Sequence, residues 1–355
     1  MLHIPVVQER IAVSLSTAIS KKIGVEVTIG RVDLGFFNRL IIDDVKVPDQ
    51  WGEQLLKASR LSAKLSLYDL ANGRINISSI QMFGMCANIY KDFGTSNGKR
   101  AEMFNFQFIA DSLKSKEKKE KTPLDLQINS LIIRNGELSF RQQKAHICNG
   151  RRLQPRDLEL RDISAHLILS KLTNDSLAVK VKRMAVKEKS GLNITSLSVT
   201  ANAGRHGAAV HDFILKLNGT DIRVPHLTAS YQTDTNGIIA ATLRYDGSIE
   251  ATSIAPSDFA FVLPSLRGTH SRLSMSTVFS GTSSSLRVKT FQASSSDGSL
   301  KLKADGSLSD IQGSRKWNAN LQKLYITGSF AQTVCKTLGA KFPEKINAKT
   351  LFADL

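Results

Sequence analysis

The chain has 355 residues, of which 41% are hydrophobic and 22% charged, a composition that supports a folded core and excludes a disordered chain. The formal net charge of +17 favours a nucleic acid or an anionic membrane as partner, or lysines that are simply solvated. Cys86, Cys148 and Cys335 form no CxxC pair, which argues against a zinc knuckle or thioredoxin-like site and for free thiols. No apolar run reaches the roughly 18 residues of a transmembrane helix, and the N-terminus lacks the features of a signal peptide. The chain is therefore expected to be cytosolic or to begin just after a removed anchor.

Residues 1–24 have the pattern of an amphipathic helix. Lys21 and Lys22 suit the C-terminal end of such a helix, and Gly24 can supply its left-handed stop. The apolar residues that recur at three- and four-residue spacing on one face are Ile4, Val7, Ile11, Leu15, Ala18 and Ile19. Two interpretations follow: a helix that caps a sheet, or a stalk that continues from a membrane anchor.

After Gly24 the apolar residues alternate with polar ones, which is the pattern of half-buried antiparallel strands. The clearest runs lie at 25–29, 61–67, 124–128, 158–160, 165–169, 197–201, 213–217, 241–245, 286–288 and 300–304. The fold class predicted from these runs is mostly β, a long meander without the alternating helices of a parallel α/β sheet.

Asn-Gly and Asp-Gly pairs accept the positive φ angles of tight turns, so each pair predicts a hairpin. They start at Asn72, Asn97, Asn135, Asn149, Asn218, Asn236, Asp246, Asp297 and Asp305. The last two pairs, which start at Asp297 and Asp305, predict one short strand at 299–303 between two turns. The charged run KSKEKKEK at 114–121 predicts an exposed insertion over residues 94–122, with a domain boundary near residue 122.

No catalytic, metal or cofactor motif stands out. Residues 94–98 fit the GxSxG pattern of serine hydrolases, but Lys99 and Arg100 follow where that motif needs a helix, so we interpret it as a polar turn. The seven histidines form no HExxH or HxH pattern, and His206 and His211 are predicted to lie in a loop. Phosphate-binding glycine loops and the basic and aromatic alternation of nucleic-acid platforms are missing. The sequence thus predicts no enzyme, no cofactor, no metal and no nucleic acid partner.

Residues 24–47 read GVEVTIGRVDLGFFNRLIIDDVKV, which contains G-x-x-V-x-I-G-x-V-D, an aromatic pair and L-x-x-x-D-V. This stretch resembles the opening of AsmA/TamB proteins, in particular the TamB-like proteins of Bacteroidetes. The matching positions are Gly24, Val27, Ile29, Gly30, Val32, Asp33, Phe36, Phe37, Leu40, Asp44 and Val45. Similar blocks follow at 55–61, leading into 75–80, and at 122–131. The resemblance is close over residues 1–140 and is one of pattern alone beyond them.

The resemblance implies an inner-membrane anchor just before residue 1, a periplasmic location, and a long twisted antiparallel sheet curled into a groove. The implied segments are a helix at 1–24 after the missing anchor, an AsmA-like β region at 25–93, the insertion at 94–122, and groove repeats at 123–355 that are truncated at the C-terminus. The implied partners are phospholipid, the inner membrane, and an outer-membrane barrel protein through an absent C-terminal domain.

The expected function is to carry phospholipid along the groove toward the outer membrane, with acyl chains on the apolar side of the strands. The predicted lining is Leu61, Leu65, Leu67, Leu124, Leu126, Ile128, Leu158, Leu160, Leu167, Leu215, Leu217, Leu300 and Leu302. From the residues alone, a closed sandwich whose leucines pack only against one another fits the same alternation. The second hypothesis for function is a scaffold or chaperone for outer-membrane protein assembly, which binds partners by strand addition at an open sheet edge.

Overall fold

The structure, a computed structural model, describes residues 5–35, 39–65, 77–96, 99–113, 125–142, 152–173, 175–234, 237–340 and 350–354. The protein is mostly β with few helices, and the predicted fold class with its N-terminal helix is confirmed. Two compact units make up the chain. The N-terminal unit comprises Met1–Asn174 and Val181–Gly191, and the C-terminal unit comprises Asp175–Lys180 and Leu192–Leu355. The predicted boundary near residue 122 falls outside the described residues.

The N-terminal unit consists of a sheet and two helices. Its helices are α1 (Pro5–Ile23) and α2 (Gln107–Leu113), and its strands are β1 (Arg31–Gly35), β2 (Arg39–Pro48), β3 (Gln54–Leu65), β4 (Ile77–Phe83), β5 (Cys86–Ser96), β6 (Lys99–Phe104), β7 (Asp125–Arg141) and β8 (Asp157–Thr173). Strand β9 (Leu177–Glu188) contributes residues to both units.

Strand β7 makes this sheet mixed. It lies antiparallel to β8 but parallel to both β4 and β5, so the expectation of a purely antiparallel sheet is wrong here. Parallel neighbours need a crossover of a dozen or more residues. The connection from β5 to β7, which includes β6 and α2, is long enough to supply one. Antiparallel pairs are also formed by β1 with β2, β2 with β3, β3 with β4, β3 with β5 and β5 with β6.

Helix α1 caps the first strands of this sheet. Ala12, on the helix, is 1% exposed and packs with the buried Val27, Ile29 and Val32. The Ser16 hydroxyl donates a hydrogen bond to the Val27 carbonyl, and the Val27 N–H donates to Ser20 Oγ at 2.8 Å. Of the predicted helix face, Ile11, Leu15 and Ile19 pack on this core, Ala18 is exposed, and Ile4 and the Val7 side chain lie outside the described residues. The helix ends at Gly24, whose φ is +82°.

The C-terminal unit is an antiparallel sheet with one helix. Its strands are β10 (Asn193–Gly204), β11 (Gly207–Lys216), β12 (Asp221–Ser230), β13 (Thr233–Asp234), β14 (Gly237–Ile238), β15 (Arg244–Ile254), β16 (Leu273–Thr282), β17 (Ser285–Ser295), β18 (Leu300–Ser309), β19 (Lys316–Thr327) and β20 (Thr350–Asp354), and its helix is α3 (Gly328–Leu338). Three short 3₁₀ turns lie at Ala240–Thr242, Pro256–Phe259 and Pro264–Leu266. Neighbouring strands pair in chain order, except that β12 pairs with β15 and that β13 and β14 form a separate small hairpin.

The turn predictions are partly confirmed. Asn218 lies in the turn between β11 and β12, and Asp297 lies in the turn between β17 and β18. Asn135, Asp246 and Asp305 lie inside β7, β15 and β18, so the hairpins predicted there are wrong. The short strand predicted at 299–303 is therefore wrong as well, because β18 continues to Ser309. Asn72, Asn97, Asn149 and Asn236 lie outside the described residues.

The glycines of the two misassigned Asp-Gly pairs allow close approach across the sheet rather than a turn. A Cβ on Gly306 would lie 2.6 Å from the backbone oxygen of Asn318 on β19. A Cβ on Gly247 would lie 2.9 Å from the Leu227 side chain and 3.2 Å from the Phe279 ring. A glycine inside a strand commonly marks such an approach.

Three further local predictions are corrected. Residues 25–29 form a single bridge, Thr28 with Lys46, instead of a strand. The run at 241–245 is divided between the 3₁₀ turn Ala240–Thr242 and the start of β15. His211 lies within β11, opposite His226, and not in a loop.

Candidate functional site

One face of the C-terminal sheet is apolar from strand to strand. Residues directly opposite each other in antiparallel strands point to the same side of a sheet, so the register identifies which side chains share a face. A central row crosses eight strands and consists of Leu197, Leu215, Ile222, Ala251, Met275, Ala293, Leu302 and Leu324. A second row on the same side of the sheet consists of Ala201, Val210, Leu227, Gly247, Phe279, Val288, Gly306 and Ala319. We call the side that carries these rows the apolar face.

The other side of the same strands is polar. The row next to the central row on this side is polar at every position except Ile214, and it consists of Ser198, Ile214, Arg223, Glu250, Ser276, Gln292, Lys303 and Lys323. Strands lie about 4.8 Å apart, so the central row is roughly 34 Å long, close to the hydrocarbon thickness of a bilayer, about 30 Å. The sheet therefore separates a long apolar strip from a charged and hydroxylated one.

The side chains of the apolar face are only partly withdrawn from water. In the central row Ala251 is 2% exposed, whereas the other seven residues are half-buried. A second layer packed on this face, as in a closed sandwich, would bury leucines and methionines almost completely. The exposure of the central row thus favours an open surface over a sealed interior.

A cavity of about 750 Å³ adjoins one end of the apolar face. Ile254 and Leu273, opposite each other in β15 and β16, line both the face and the cavity. The other apolar walls are formed by Phe259, Val262, Leu263 and Leu266 from the segment between these strands, and by Phe330 and Val334 from α3. The Ser265 hydroxyl donates a hydrogen bond to the Thr337 carbonyl at 3.1 Å and joins the two walls. We call this space the end cavity.

The local sequence determines the secondary structure of the two walls of the end cavity. Thr327 caps helix α3 by accepting a hydrogen bond from the Phe330 N–H, and Gly339 ends the helix at a φ of 71°. In the other wall, Phe259, Val262, Leu263 and Leu266 have the i, i+3, i+4, i+7 spacing of an apolar helical face. The cavity is not among the features predicted from the sequence, although these cap and spacing signals indicate both of its walls.

Asp297 lies at the polar edge of the end cavity. Its carboxylate accepts hydrogen bonds from the Ser271 hydroxyl at 2.9 Å, the Ser299 hydroxyl at 2.6 Å and the Ser299 N–H at 3.0 Å. Hydrogen bonding, from the Ser299 hydroxyl foremost, lowers the pKa of Asp297 below its ordinary value because the charged form is the better acceptor. Among the residues that line the cavity, His270 is the other ionisable one, and none is a lysine or arginine.

The predicted lining residues fall into both units. Leu215, Leu300 and Leu302 lie on the apolar face, and Leu217 is buried in the turn after β11. In the N-terminal unit, Leu61 lies opposite Ile42 and Met82, while Leu158, Leu160 and Leu167 lie opposite Phe140, Leu138 and Leu131. Leu67, Leu124 and the side chains of Leu65, Leu126 and Ile128 lie outside the described residues.

The N-terminal unit also contains a buried polar cluster that the sequence did not reveal. Asp49 is 2% exposed, and its carboxylate accepts hydrogen bonds from the Tyr90 hydroxyl at 2.5 Å and from Asn105 Nδ2 at 3.4 Å. The same carboxylate accepts from the N–H groups of Trp51 and Glu53, both at 2.9 Å. The partners are distant in sequence, so no motif connects them. The cluster holds the β2–β3 turn against β5 and is structural.

The other motifs considered from the sequence assemble no reactive site. Gly94, Thr95 and Ser96 pair with β6, so a strand follows where a nucleophile elbow requires a helix. Within the described ranges, no three His, Cys, Asp or Glu residues lie close enough to hold a metal ion. Cys86 and Cys335 are free thiols, both half-buried. None of the helices that the structure describes is long and apolar enough to cross a membrane.

Comparisons of the chain with protein-family models, curated proteins and solved structures found no match.

Proposed function

We propose that this protein carries phospholipid along its apolar face, as part of a transport system that leads to the outer membrane of a Gram-negative cell. The observation that carries the proposal is the central row, a strip of apolar side chains across eight strands, of which seven are half-buried. Hydrocarbon that covers these side chains removes them from water, which is favourable by about 0.8 kcal/mol per buried methylene.

A sheet face supports sliding better than a closed pocket does. Neighbouring strands present side chains of similar size and the same chemistry, so successive positions of an acyl chain differ little in free energy. A polar head group at the border of the face stays in water and needs no specific partner. The resemblance of residues 24–47 to AsmA/TamB openings supports the remaining parts of the proposal: a periplasmic location, an inner-membrane anchor upstream of the chain, and an outer-membrane barrel protein as a downstream partner.

The test compares two variants that introduce the same charge on opposite sides of the sheet. Leu302→Lys places an ammonium group on the apolar face, whereas Val278→Lys places one on the polar side of β16, where Val278 lies between Ser248 and Thr290 and is 38% exposed. Protein purified from an envelope fraction is extracted with organic solvent, and phospholipid is quantified by mass spectrometry. Leu302→Lys is expected to lower bound phospholipid about fivefold or more, since an unpaired charge is costly in contact with hydrocarbon.

Val278→Lys is expected to retain the wild-type amount of lipid. Circular dichroism checks that both variants keep the β-rich fold. Equal lipid content in the two variants, or a wild-type protein without any extractable lipid, would refute the proposal.

The edge of β19 favours a second candidate function, binding of unfolded outer-membrane proteins by strand addition. Strand β20 pairs with β19 from Lys323 to Thr327, and within the described chain residues 316–322 have β18 as their single strand partner. Trp317, in this half-paired segment, is 77% exposed. An open edge of this kind presents free backbone groups to an incoming strand.

Hydrogen exchange distinguishes this candidate from the first. Amides of residues 316–322 are expected to become protected when an unfolded outer-membrane barrel protein is added, and this protection together with an absence of bound phospholipid would favour the scaffold. Unchanged exchange at these amides would exclude it.

A further inference from the structure

We propose that the end cavity is a binding site for the alkyl chain of a lipid and that it disfavours ligands that place an anionic group at its polar edge. The inference deepens the proposed function and rests on it, because the cavity is reached from the apolar face. It goes further by naming a specific site and the charge that the polar edge of this site disfavours.

Continuity with the apolar face argues for hydrocarbon as the occupant. Ile254 and Leu273 belong to both surfaces, so an alkyl chain that lies on the face can enter the cavity without crossing polar groups. The volume of about 750 Å³ falls in the usual range of small-ligand sites, roughly 300–1,000 Å³.

The exposure of the wall residues also argues for hydrocarbon as the occupant. Val262 is 42% exposed, Leu263 is 41% exposed and Val334 is 38% exposed, and all three line this one cavity. Isolated exposed aliphatic residues are common, but three that converge on one concave surface mark a binding site. The Ser265–Thr337 hydrogen bond joins the two walls of the cavity.

The polar edge of the cavity determines which charge a ligand can place beside it. Phosphate and carboxylate groups are normally bound by arginine, lysine or helix N-termini. The described residues that line the cavity include no arginine or lysine, and the N-terminus of α3, where Ser329 and Phe330 line the cavity, is capped by Thr327. The ionisable lining residues are His270 and Asp297, and the Asp297 carboxylate lies beside Ser271 and Ser299. Repulsion between like charges disfavours a second anion there, whereas the hydroxyl of an alcohol can donate a hydrogen bond to a serine oxygen or to the carboxylate.

The test uses an uncharged fluorescent probe, N-phenyl-1-naphthylamine, and two competitors with the same alkyl chain, 1-dodecanol and dodecanoate, at a pH where dodecanoate is ionised. Dodecanol is expected to displace the probe from wild-type protein at about fivefold lower concentration than dodecanoate. In Asp297→Asn this difference should disappear through tighter binding of dodecanoate, with dodecanol unchanged.

Two valine variants locate the binding site. Val334→Asp is expected to weaken probe binding about fivefold or more, because it adds a charge to the cavity wall. Val278→Asp is the matched control, since Val278 is also 38% exposed but lies on the polar side of the sheet, and it should bind the probe as wild type does. Circular dichroism verifies the fold of each variant.

The outcomes separate this proposal from the function on which it rests. Unchanged probe binding in Val334→Asp, or equal competition by dodecanol and dodecanoate, would overturn the cavity site. If Leu302→Lys still lost phospholipid, the transport proposal would stand without it. If Val334→Asp left probe binding intact but converted a dimer to a monomer in sedimentation, the cavity would be an interface between two copies, and the lipid site would be rejected.

Discussion

The buried carboxylate of Asp49 should control the stability of the N-terminal unit. Asp49→Ala removes the acceptor for the Tyr90 hydroxyl and for the N–H groups of Trp51 and Glu53, and it removes one of the two acceptors of Asn105 Nδ2. Tyr90 and Asn105 are 8% and 0% exposed, so water replaces the lost partners poorly. Removing the acceptor of a buried hydrogen bond costs about 1–3 kcal/mol, and the loss of the Tyr90 bond, the longer Asn105 bond and the two bonds of the turn gives an expected loss of about 4 kcal/mol.

Tyr90→Phe measures how much the hydrogen bond from the Tyr90 hydroxyl to Asp49 contributes to stability. It removes a single hydroxyl and leaves the aromatic ring that stacks on Trp51, 5.9 Å between centroids. The expected loss is about 1–2 kcal/mol, and in the Asp49→Ala background the same substitution should cost less because the Asp49 acceptor is already gone.

Trp51 fluorescence provides an assay that reports on this unit alone. The chain has two tryptophans, and Trp317 is 77% exposed, so Trp317→Phe leaves Trp51 as the sole reporter at little structural cost. Urea titrations of the four combinations at Asp49 and Tyr90 then give a double-mutant cycle. A loss below about 1 kcal/mol for Asp49→Ala, or strictly additive effects, would refute the role assigned to the cluster.

Two further predictions concern surface charge and strand packing. The hydrogen bond from Arg60, and a second from Arg31, lower the pKa of Asp43 below 3.8, so its ionised form stabilises the folded state above that pH and this contribution is lost as the pH falls through the lowered value. Asp43→Asn should therefore be less stable than wild type by about 1 kcal/mol at neutral pH, with the gap closing in acid; a gap that persists in strong acid would contradict this. Gly306→Val should destabilise the C-terminal unit by about 3 kcal/mol, because its Cβ would lie 2.6 Å from the Asn318 oxygen, whereas Ser307→Val on the polar side should have little effect in urea unfolding.

The features that sequence alone predicted are those fixed within a few residues. Helix α1 ends where Gly24 permits a left-handed backbone, and the turns at Asn218 and Asp297 form where hairpin residues follow an alternating run. The alternation around Leu215 and Leu302 likewise identified which side of those strands is apolar, because the strand period is two whatever the partner.

The features that sequence could not predict depend on distant partners. Asp246 and Asp305 precede glycines as a hairpin turn would require, yet those glycines are needed because the Phe279 ring or the β19 backbone approaches them. The parallel position of β7 depends on the path of the crossover and not on its own residues. The end cavity joins α3 to the segment after β15, more than sixty residues earlier, so neither wall alone indicates a site.

The proposed function and the proposed site together predict two kinds of hydrocarbon contact on one sheet. On the apolar face an alkyl chain contacts the protein on one side only. Each strand offers nearly the same contact, so a shift of the alkyl chain by one strand changes its binding free energy little. In the end cavity Phe259 and Leu266 form one wall and Phe330 the other, so a chain is contacted from two sides and loses more contact with water. Residence should therefore be longer in the cavity than on the face, which makes the cavity the position where a sliding chain stops. The two proposals therefore predict that substitutions at Leu302 reduce the amount of lipid bound and that substitutions at Val334 shorten how long it stays.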